Sequence, residues 1–310
     1  MTQTIGVLLM AYGGPDSLAD IPAFLLDIRG GRPTSQAIID EITENYRKIG
    51  GKSPLLELTQ AQAAGVQAKL NADAPAGVAY KVYIGMRHWT PWIENAVEDM
   101  IADGIAQAVA LVLAPHYSGM SIARYFAKLD EALAAHDNPF SYTAITSYHD
   151  HPLYIEALAN RVKNGLATMP DDTLVIFSAH SLPTRIINAG DPYDAQLRQT
   201  ARLVAEQAGL TADQWTFSYQ SAGKSPEPWL GPQIEVYVVE LAAQGHKNFL
   251  SVPVGFVSDH VEILFDIDLE AKHAAESAGA HLERVSSLND DPLFIAALAD
   301  LILHVEVESA

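Results

Sequence analysis

Short apolar runs rich in β-branched residues alternate along the chain with longer stretches of helical periodicity. The pattern predicts eight strands, at 5–11, 79–84, 107–113, 142–147, 173–178, 216–220, 247–253 and 282–287. Helical stretches fill most of the gaps, including 91–102, 121–135, 192–207 and 260–277. Strands separated by crossover helices favour parallel sheets with helices on both faces, so the predicted fold class is α/β.

The second half of the chain repeats the first. SYHDHPLYIEALA at 147–159 and SLNDDPLFIAALA at 287–299 share their proline and most of their apolar positions. A second repeat joins AYGGP at 11–15 to AHSLP at 179–183, each directly after the first strand of its half. We therefore predict two four-stranded lobes, 1–150 and 151–310, related by internal duplication. The C-terminal helix, at about 292–306, is free to pack back on the first lobe.

The first lobe carries extra residues. The interval from Tyr12 to Gly85 exceeds the corresponding interval from His180 to Ser221 by about 30 residues, which places a helical insertion at about 16–53. Its apolar segment ends in Arg29 and would suit the cover of a hydrophobic, carboxylate-bearing ligand. An ordinary packed helical insertion explains the same pattern.

Composition narrows the function classes. A net charge of −19 argues against nucleic-acid binding, although it could simply provide solubility. The absence of cysteine excludes disulfides, thiolate catalysis and a cysteine-ligated Fe–S cluster. No apolar run approaches the roughly 20 residues of a transmembrane helix, and the N-terminus lacks the pattern of a signal peptide. We expect a cytoplasmic protein, and a monomer because no extended exposed apolar stripe is evident.

One histidine stands where α/β folds place ligands. His180 ends the strongly apolar strand TLVIFSAH, and Tyr12 holds the equivalent position in the first lobe. Ligands bind beyond the carboxyl ends of parallel strands, so we expect Tyr12 and His180 to face each other across a cleft. A histidine at this place alone is more often a structural residue whose hydrogen bonds are satisfied.

A run of acidic residues follows the seventh strand. If 260–277 is one α-helix, Glu262, Asp266 and Glu270 form a single stripe, with Asp259 and His273 near it. Such stripes are usually solvated faces. Stacked carboxylates repel, however, and oxygen ligands with a nearby imidazole also suit labile divalent iron or zinc. The sequence lacks the HExxH spacing of zinc proteases.

With these residues in place, the sequence resembles the ferrochelatase family over almost its whole length. The similarity is carried by the segments MAYGGP at 10–15, IGGKSPL at 49–55, IGMRHWTP at 84–91, LAPHYSGMSIARY at 113–125, FSAHSLP at 177–183, FSYQSAGKSPEPWLGP at 217–232 and PVGFVSDHVEILFDID at 253–268. The fold this resemblance implies is two Rossmann-like chelatase lobes. The activity it implies is that of a lyase of haem biosynthesis that inserts Fe²⁺ into a porphyrin and releases two protons.

The resemblance also implies roles for individual residues. It pairs His180 with Glu262 at the metal-insertion centre and places Asp266 and Glu270 on an outer metal path. Tyr12, in an Ala-Tyr-Gly form, resembles the coproporphyrin III ferrochelatases of bacteria. The remaining porphyrin-contacting positions that the family suggests are Arg29, Tyr46, Ser53 and Tyr125, with His88 and Arg87 near the mouth of the cleft. Asn45 departs from relatives that carry a basic residue beside the tyrosine.

Iron insertion is not a redox reaction, so the expected partners are only a porphyrin and ferrous iron, with no organic cofactor and no Fe–S cluster. Alternatives remain open at this point. They are protoporphyrin IX in place of coproporphyrin III, cobalt insertion into sirohydrochlorin, a non-catalytic haem carrier, and a two-lobed solute-binding protein. The His180 and Glu262 pair disfavours the carrier, because a carrier needs an axial ligand but no proton acceptor.

Overall fold

The computed structural model describes residues 2–306 and divides the chain into two compact units. The first unit runs to Tyr148 and resumes at Asn289, and the second comprises His149–Leu288. Each unit contains one four-stranded parallel sheet flanked by helices, so the α/β fold class and the duplication are confirmed. Within residues 2–306, no helix combines the length and the apolar character needed to cross a bilayer.

The first unit is built on strands β1 to β4, which are Gln3–Ala11, Val78–Met86, Gln107–Val112 and Ser141–Ile145. They pair in the order β2-β1-β3-β4. A 3-10 turn at Leu18–Asp20 precedes α1 (Ile21–Ile28), and the further helices are α2 (Gln36–Lys48), α3 (Leu55–Asp73), α4 (Ile93–Ala102) and α5 (Ile122–Ala134). All six residues of β3 are buried, as expected for a strand covered on both faces.

The second unit repeats this order with β5 to β8, which are Leu174–His180, Trp215–Gln220, Asn248–Pro253 and His281–Arg284. The strands pair as β6-β5-β7-β8. Its helices are α6 (Pro152–Leu166), α7 (Arg185–Asn188), α8 (Tyr193–Ala208), α9 (Ile234–Ala243), α10 (Val261–Leu264), a π-helix (Asp266–Ala271) and α11 (Lys272–Ser277). Since β1 and β5 occupy the same place in equivalent sheets, Tyr12 and His180 hold equivalent topological positions.

The last helix, α12 (Pro292–His304), belongs to the first unit. The Asp291 side chain accepts hydrogen bonds from the backbone N–H groups of Leu293 and Phe294, which caps the first turn. Phe294 is fully buried and contacts the Tyr148 ring, with 6.5 Å between ring centroids. Burying a side chain of this kind contributes about 2–3 kcal/mol to folding.

Three sequence-based boundaries need correction. The final strand of each sheet is shorter than predicted, because pairing with the neighbouring strand stops at Ile145, opposite Leu111, and at Arg284, opposite Ser251. The helix predicted at 260–277 is not continuous, since a π-helix at Asp266–Ala271 separates α10 from α11. The three carboxylates expected on one α-helical stripe therefore follow a different path.

Candidate active site

His180 closes β5, and its environment fixes how the imidazole is presented. The ring Nδ1 donates a hydrogen bond to the carbonyl of Ser181, which can only accept. The proton of a neutral ring therefore stays on Nδ1, and the Nε2 lone pair is left available. The hydroxyl of Tyr193, in α8, donates a hydrogen bond of 3.0 Å to the His180 carbonyl. Both contacts restrain the imidazole before any ligand arrives.

Close packing of the loop after β7 supports the same strand end. A Cβ on Gly255 would lie 2.5 Å from the Ala179 Cβ and 2.9 Å from its Cα, so only glycine lets this loop approach β5. The ring of Phe256, the next residue, contacts two imidazoles, with centroid distances of 6.4 Å to His180 and 4.7 Å to His260.

Glu262, in the short helix α10, faces His180. Its Oε1 lies 3.6 Å from His180 Nε2, and its Oε2 lies 3.9 Å from His260 Nε2. Burial would raise the pKa of Glu262, but the charges of His180 and His260 lower it below its ordinary value. Burial would likewise lower the pKa of His260, yet the Glu262 carboxylate raises it. The result is a carboxylate held in its charged form beside two imidazoles.

Gln220, the fully buried last residue of β6, connects the two halves of this arrangement. Its side-chain oxygen accepts from the Ser178 hydroxyl at 2.9 Å, and its amide donates to the Glu262 carbonyl at 2.6 Å. One side chain thus links the strand that carries His180 to the helix that carries Glu262.

Asp266 is the first residue of the π-helix and accepts a hydrogen bond from the end of β6. Ser221, directly after that strand, adopts a left-handed backbone with φ of 59° and donates its hydroxyl to Asp266. A non-glycine residue in this conformation costs about 1–2 kcal/mol, which the surrounding contacts must offset. Burial, together with the charge of Glu262, raises the pKa of Asp266 to about 7.

The predicted acidic stripe is therefore rearranged rather than lost. Glu262 faces His180, and Asp266 accepts a hydrogen bond from the Ser221 hydroxyl. Glu270 is exposed, and its charge contributes to the raised pKa of Asp266. Asp259 was expected near the stripe, but it precedes the helix and lies 3.2 Å from Arg284. Within residues 2–306, no group of three or more His, Cys, Asp or Glu side chains is arranged to hold a metal ion.

The first unit gathers a second set of predicted residues around the end of β1. Tyr12 is 43% exposed, and its ring lies 4.6 Å from that of His88 and 6.4 Å from that of Phe24. His88 Nδ1 lies 2.7 Å from Asp27 Oδ2, at the end of α1, and Arg29 follows two residues later, exposed. Burial lowers the pKa of His88.

The glycine turn after Tyr12 brings two more predicted residues close. Gly13 has a φ of 90° and packs against the Trp89 backbone, where a Cβ would lie 2.9 Å from the Trp89 nitrogen. A Cβ on the next glycine would lie 2.5 Å from Ser53 Oγ and 3.8 Å from the Tyr46 hydroxyl. Tyr46 and Ser53 are almost fully buried in this turn. Tyr125 is also buried, with the Arg87 guanidinium 5.3 Å above its ring.

Comparison with known proteins decides the family. A family model described as ferrochelatase matches residues 4–305. A ferrochelatase of Deinococcus radiodurans is 56% identical over 312 residues, covering 99% of this chain and 98% of that protein. The chain belongs to the ferrochelatase family. A coproporphyrin III ferrochelatase of Geobacillus thermodenitrificans is 44% identical over 306 residues, covering 97% of this chain and 96% of the relative.

The fold comparison agrees with this family membership. SirB from Bacillus subtilis with Fe³⁺ superimposes with a TM-score of 0.58 at 12% identity, covering 97% of this chain and 94% of that chain. At this identity the similarity concerns the fold alone. It supports the two-lobed chelatase architecture of this ferrochelatase-family chain.

Sequence reasoning missed three residues of the arrangement: His260, Gln220 and Ser221. The last two stand at the carboxyl end of β6, so the rule that pointed to His180 applies to them equally. His260 lies two residues before Glu262, a spacing too short for an α-helical stripe, so helical periodicity over 260–277 does not select it.

Proposed function

We propose that this protein is a ferrochelatase, a lyase that inserts Fe²⁺ into a porphyrin in haem biosynthesis and releases two protons. The observation that carries the proposal is the separation of 3.6 Å between His180 Nε2 and Glu262 Oε1. A proton acceptor and a metal-binding carboxylate so close together match the two tasks of metallation. A protein that only carries haem would need one axial ligand and no such pair.

Glu262 delivers the iron in this proposal. Its carboxylate is charged at neutral pH, since its pKa lies below the ordinary value of a glutamate, which is itself acidic. The ion is a substrate in transit, so it needs few protein ligands: water leaves and the four pyrrole nitrogens take over its coordination. We assign Asp266 and Glu270 to the earlier part of its path, since oxygen ligands bind Fe²⁺ weakly enough to release it.

His180 accepts the pyrrole protons. Its Nδ1 is occupied by the Ser181 carbonyl, so Nε2 is the nitrogen that receives a proton. Each of the two pyrrole N–H bonds gives its proton to this nitrogen in turn, and its electron pair stays on the ring to bind the iron. The His180 side chain is 32% exposed, which lets each proton pass to solvent.

We assign the porphyrin contacts to six residues of the first unit: Tyr12, Arg29, Tyr46, Ser53, His88 and Tyr125. The proposed substrate is coproporphyrin III, which gives coprohaem. It is supported by the exposed Tyr12 and by the 44% identity to a protein named coproporphyrin III ferrochelatase. Protoporphyrin IX is the alternative substrate. Action as a cytoplasmic monomer without an organic cofactor or Fe–S cluster remains a prediction.

The test is an anaerobic assay. Metal-free coproporphyrin III or protoporphyrin IX is mixed with Fe²⁺ and enzyme, and the absorption bands of the metallated product are followed. We expect faster turnover of coproporphyrin III, and loss of insertion without loss of porphyrin binding in His180→Ala. His281→Ala is the matched control, because His281 is an exposed histidine at the start of β8. No insertion into either porphyrin by the wild type would refute the proposal.

A further inference from the structure

The guanidinium of Arg284 joins two stretches of chain on either side of Glu262. Its Nε donates to Asp268 Oδ1 at 2.6 Å and its Nη2 to Asp268 Oδ2 at 2.8 Å, a bidentate pair. Its Nη1 lies 3.2 Å from Asp259 Oδ1. Asp259 lies three residues before Glu262 and Asp268 six residues after it. One planar group therefore binds both flanks of the segment that presents Glu262.

This guanidinium is anchored to the sheet and not to the helix. Arg284 is the last residue of β8 and pairs with Ser251 of β7. Its Nη1 also donates to the Val285 carbonyl at 2.9 Å. The Ser287 hydroxyl closes the network by donating to Asp259 Oδ1 at 2.7 Å. The position of the guanidinium is thus set by β8, independently of the acidic segment that it binds.

The charge of Arg284 is permanent in this setting. Its side chain is 11% exposed, and burial opposes the charged form. The hydrogen bonds and charges of Asp268 and Asp259 outweigh that effect and raise its pKa. Because Glu262, Asp266 and Glu270 are also acidic, removing the guanidinium would leave its two partners as half-buried carboxylates among like charges.

The π-helix is held from two sides. Asp266 accepts a hydrogen bond from Ser221, directly after β6, and Asp268 accepts hydrogen bonds from Arg284, at the end of β8. Both aspartates lie within the wide turn that is closed by the hydrogen bond from the Glu270 N–H to the Phe265 carbonyl, at 3.0 Å. π-Helices are rare and occur mostly as single turns, frequently at functional sites.

We propose that Arg284 is a positioning residue for metal delivery: by binding Asp259 and Asp268, it holds the Glu262 carboxylate within reach of His180. The proposal rests on the iron-insertion function proposed above. Arg284 contributes through the chain between its two aspartates, without touching the porphyrin or the ion. A displacement of about 1 Å in such a group is enough to lower turnover about 100-fold.

Two variants test the proposal. Arg284→Lys keeps the charge but cannot form the bidentate pair, and Asp268→Asn keeps the shape of the partner without its charge. In both we expect kcat to fall roughly 10- to 100-fold and KM for Fe²⁺ to rise, while KM for the porphyrin stays within about 2-fold. Hydrogen exchange of the amides of residues 259–270 should accelerate selectively.

The matched control is Arg161→Lys. Arg161 lies in α6 and donates to the carbonyls of Ser286 and Leu288, in the loop that follows Arg284. It should leave both kinetic constants and the exchange rates at 259–270 near their wild-type values.

Two results would overturn the proposal: unchanged exchange at 259–270 in both variants, or a loss of turnover with no change in KM for Fe²⁺. The second result is what a simple loss of folded protein produces. Asp268→Asn keeps the test valid if Arg284→Lys folds poorly. If the wild type inserted no iron, the proposed function would fall, and the exchange rates alone would decide whether Arg284 holds the segment.

Discussion

His180 Nε2 and Glu262 Oε1 lie 3.6 Å apart, although Glu262 follows His180 by 82 positions in the sequence. Both side chains are about one-third exposed, at 32% and 31%. They are therefore held in place by surrounding contacts and still accessible to a ligand. The Ser181 carbonyl orients the first and the Gln220 amide restrains the backbone of the second. The pair is rigid enough for proton and metal transfer to depend on its geometry.

Replacing Glu262 with glutamine should stop iron insertion while leaving the shape of the site intact. We expect turnover to fall by about 10²- to 10⁴-fold, the range for losing a positioned charged group, with porphyrin affinity little changed. The pKa of His260 should also fall, because the Glu262 carboxylate is what raises it. NMR titration of the His260 ring checks this in the absence of iron. An unmoved His260 pKa would contradict the electrostatic coupling between these residues.

Tyr12 should govern the preference between porphyrins. Its exposed ring packs against His88 and Phe24, so Tyr12→Leu removes both the ring and the hydroxyl. We expect kcat/KM for coproporphyrin III to fall about 10-fold more than that for protoporphyrin IX, a difference of about 1.4 kcal/mol. Tyr12→Phe, which keeps the ring, separates the two contributions. An equal loss for both porphyrins would reduce Tyr12 to a packing residue.

Asp266 should make stability depend on pH. Its folded-state pKa is raised to about 7, well above the ordinary value of an aspartate. Between about pH 4 and 7 the folded protein keeps a proton that the unfolded chain has lost, so the free energy of unfolding falls as pH rises. Asp266→Asn lacks this group and should be more stable than the wild type above pH 7, by on the order of 2–4 kcal/mol.

Urea unfolding of metal-free protein from pH 4 to 8 measures this difference. The two proteins should converge near pH 4, where the carboxyl group is protonated in the folded state. Glu235→Gln, at an exposed position of α9, is the control and should follow the wild type throughout. A constant offset between wild type and Asp266→Asn at every pH would show that the pKa of Asp266 is not raised.

Gln220 should be required for stability. Gln220→Leu leaves the Ser178 hydroxyl and the Glu262 carbonyl without this partner inside the protein. Each buried group left unsatisfied costs about 1–3 kcal/mol, so we expect the free energy of unfolding to fall by roughly 2–4 kcal/mol. Thermal or urea denaturation measures the loss. Gln244→Leu, at an exposed position after α9, should cost less than about 0.5 kcal/mol. Similar losses in both variants would argue against a link through Gln220.

Much of the fold follows from local pattern. The continuous apolar run at 108–112 is typical of a strand covered on both faces, and the repeat at 147–159 and 287–299 indicates the duplication. The end of β5 was also predictable, because the carboxyl ends of parallel strands carry ligand sites whatever the sequence between them. His180 could therefore be singled out from its position alone.

The sequence by itself determined the order of strands and helices along the chain, the duplicated α/β class and the residue types available for chemistry. Only the tertiary structure decided the course of the acidic segment, which is an α-helix followed by a π-helix. In this arrangement Glu262 faces His180, Asp266 accepts a hydrogen bond from Ser221, and Asp268 accepts hydrogen bonds from Arg284. Periodicity could not show this, since the π-helix depends on Ser221, 45 residues before Asp266, and on Arg284, 16 residues after Asp268. Those contacts exist only once the sheet has formed.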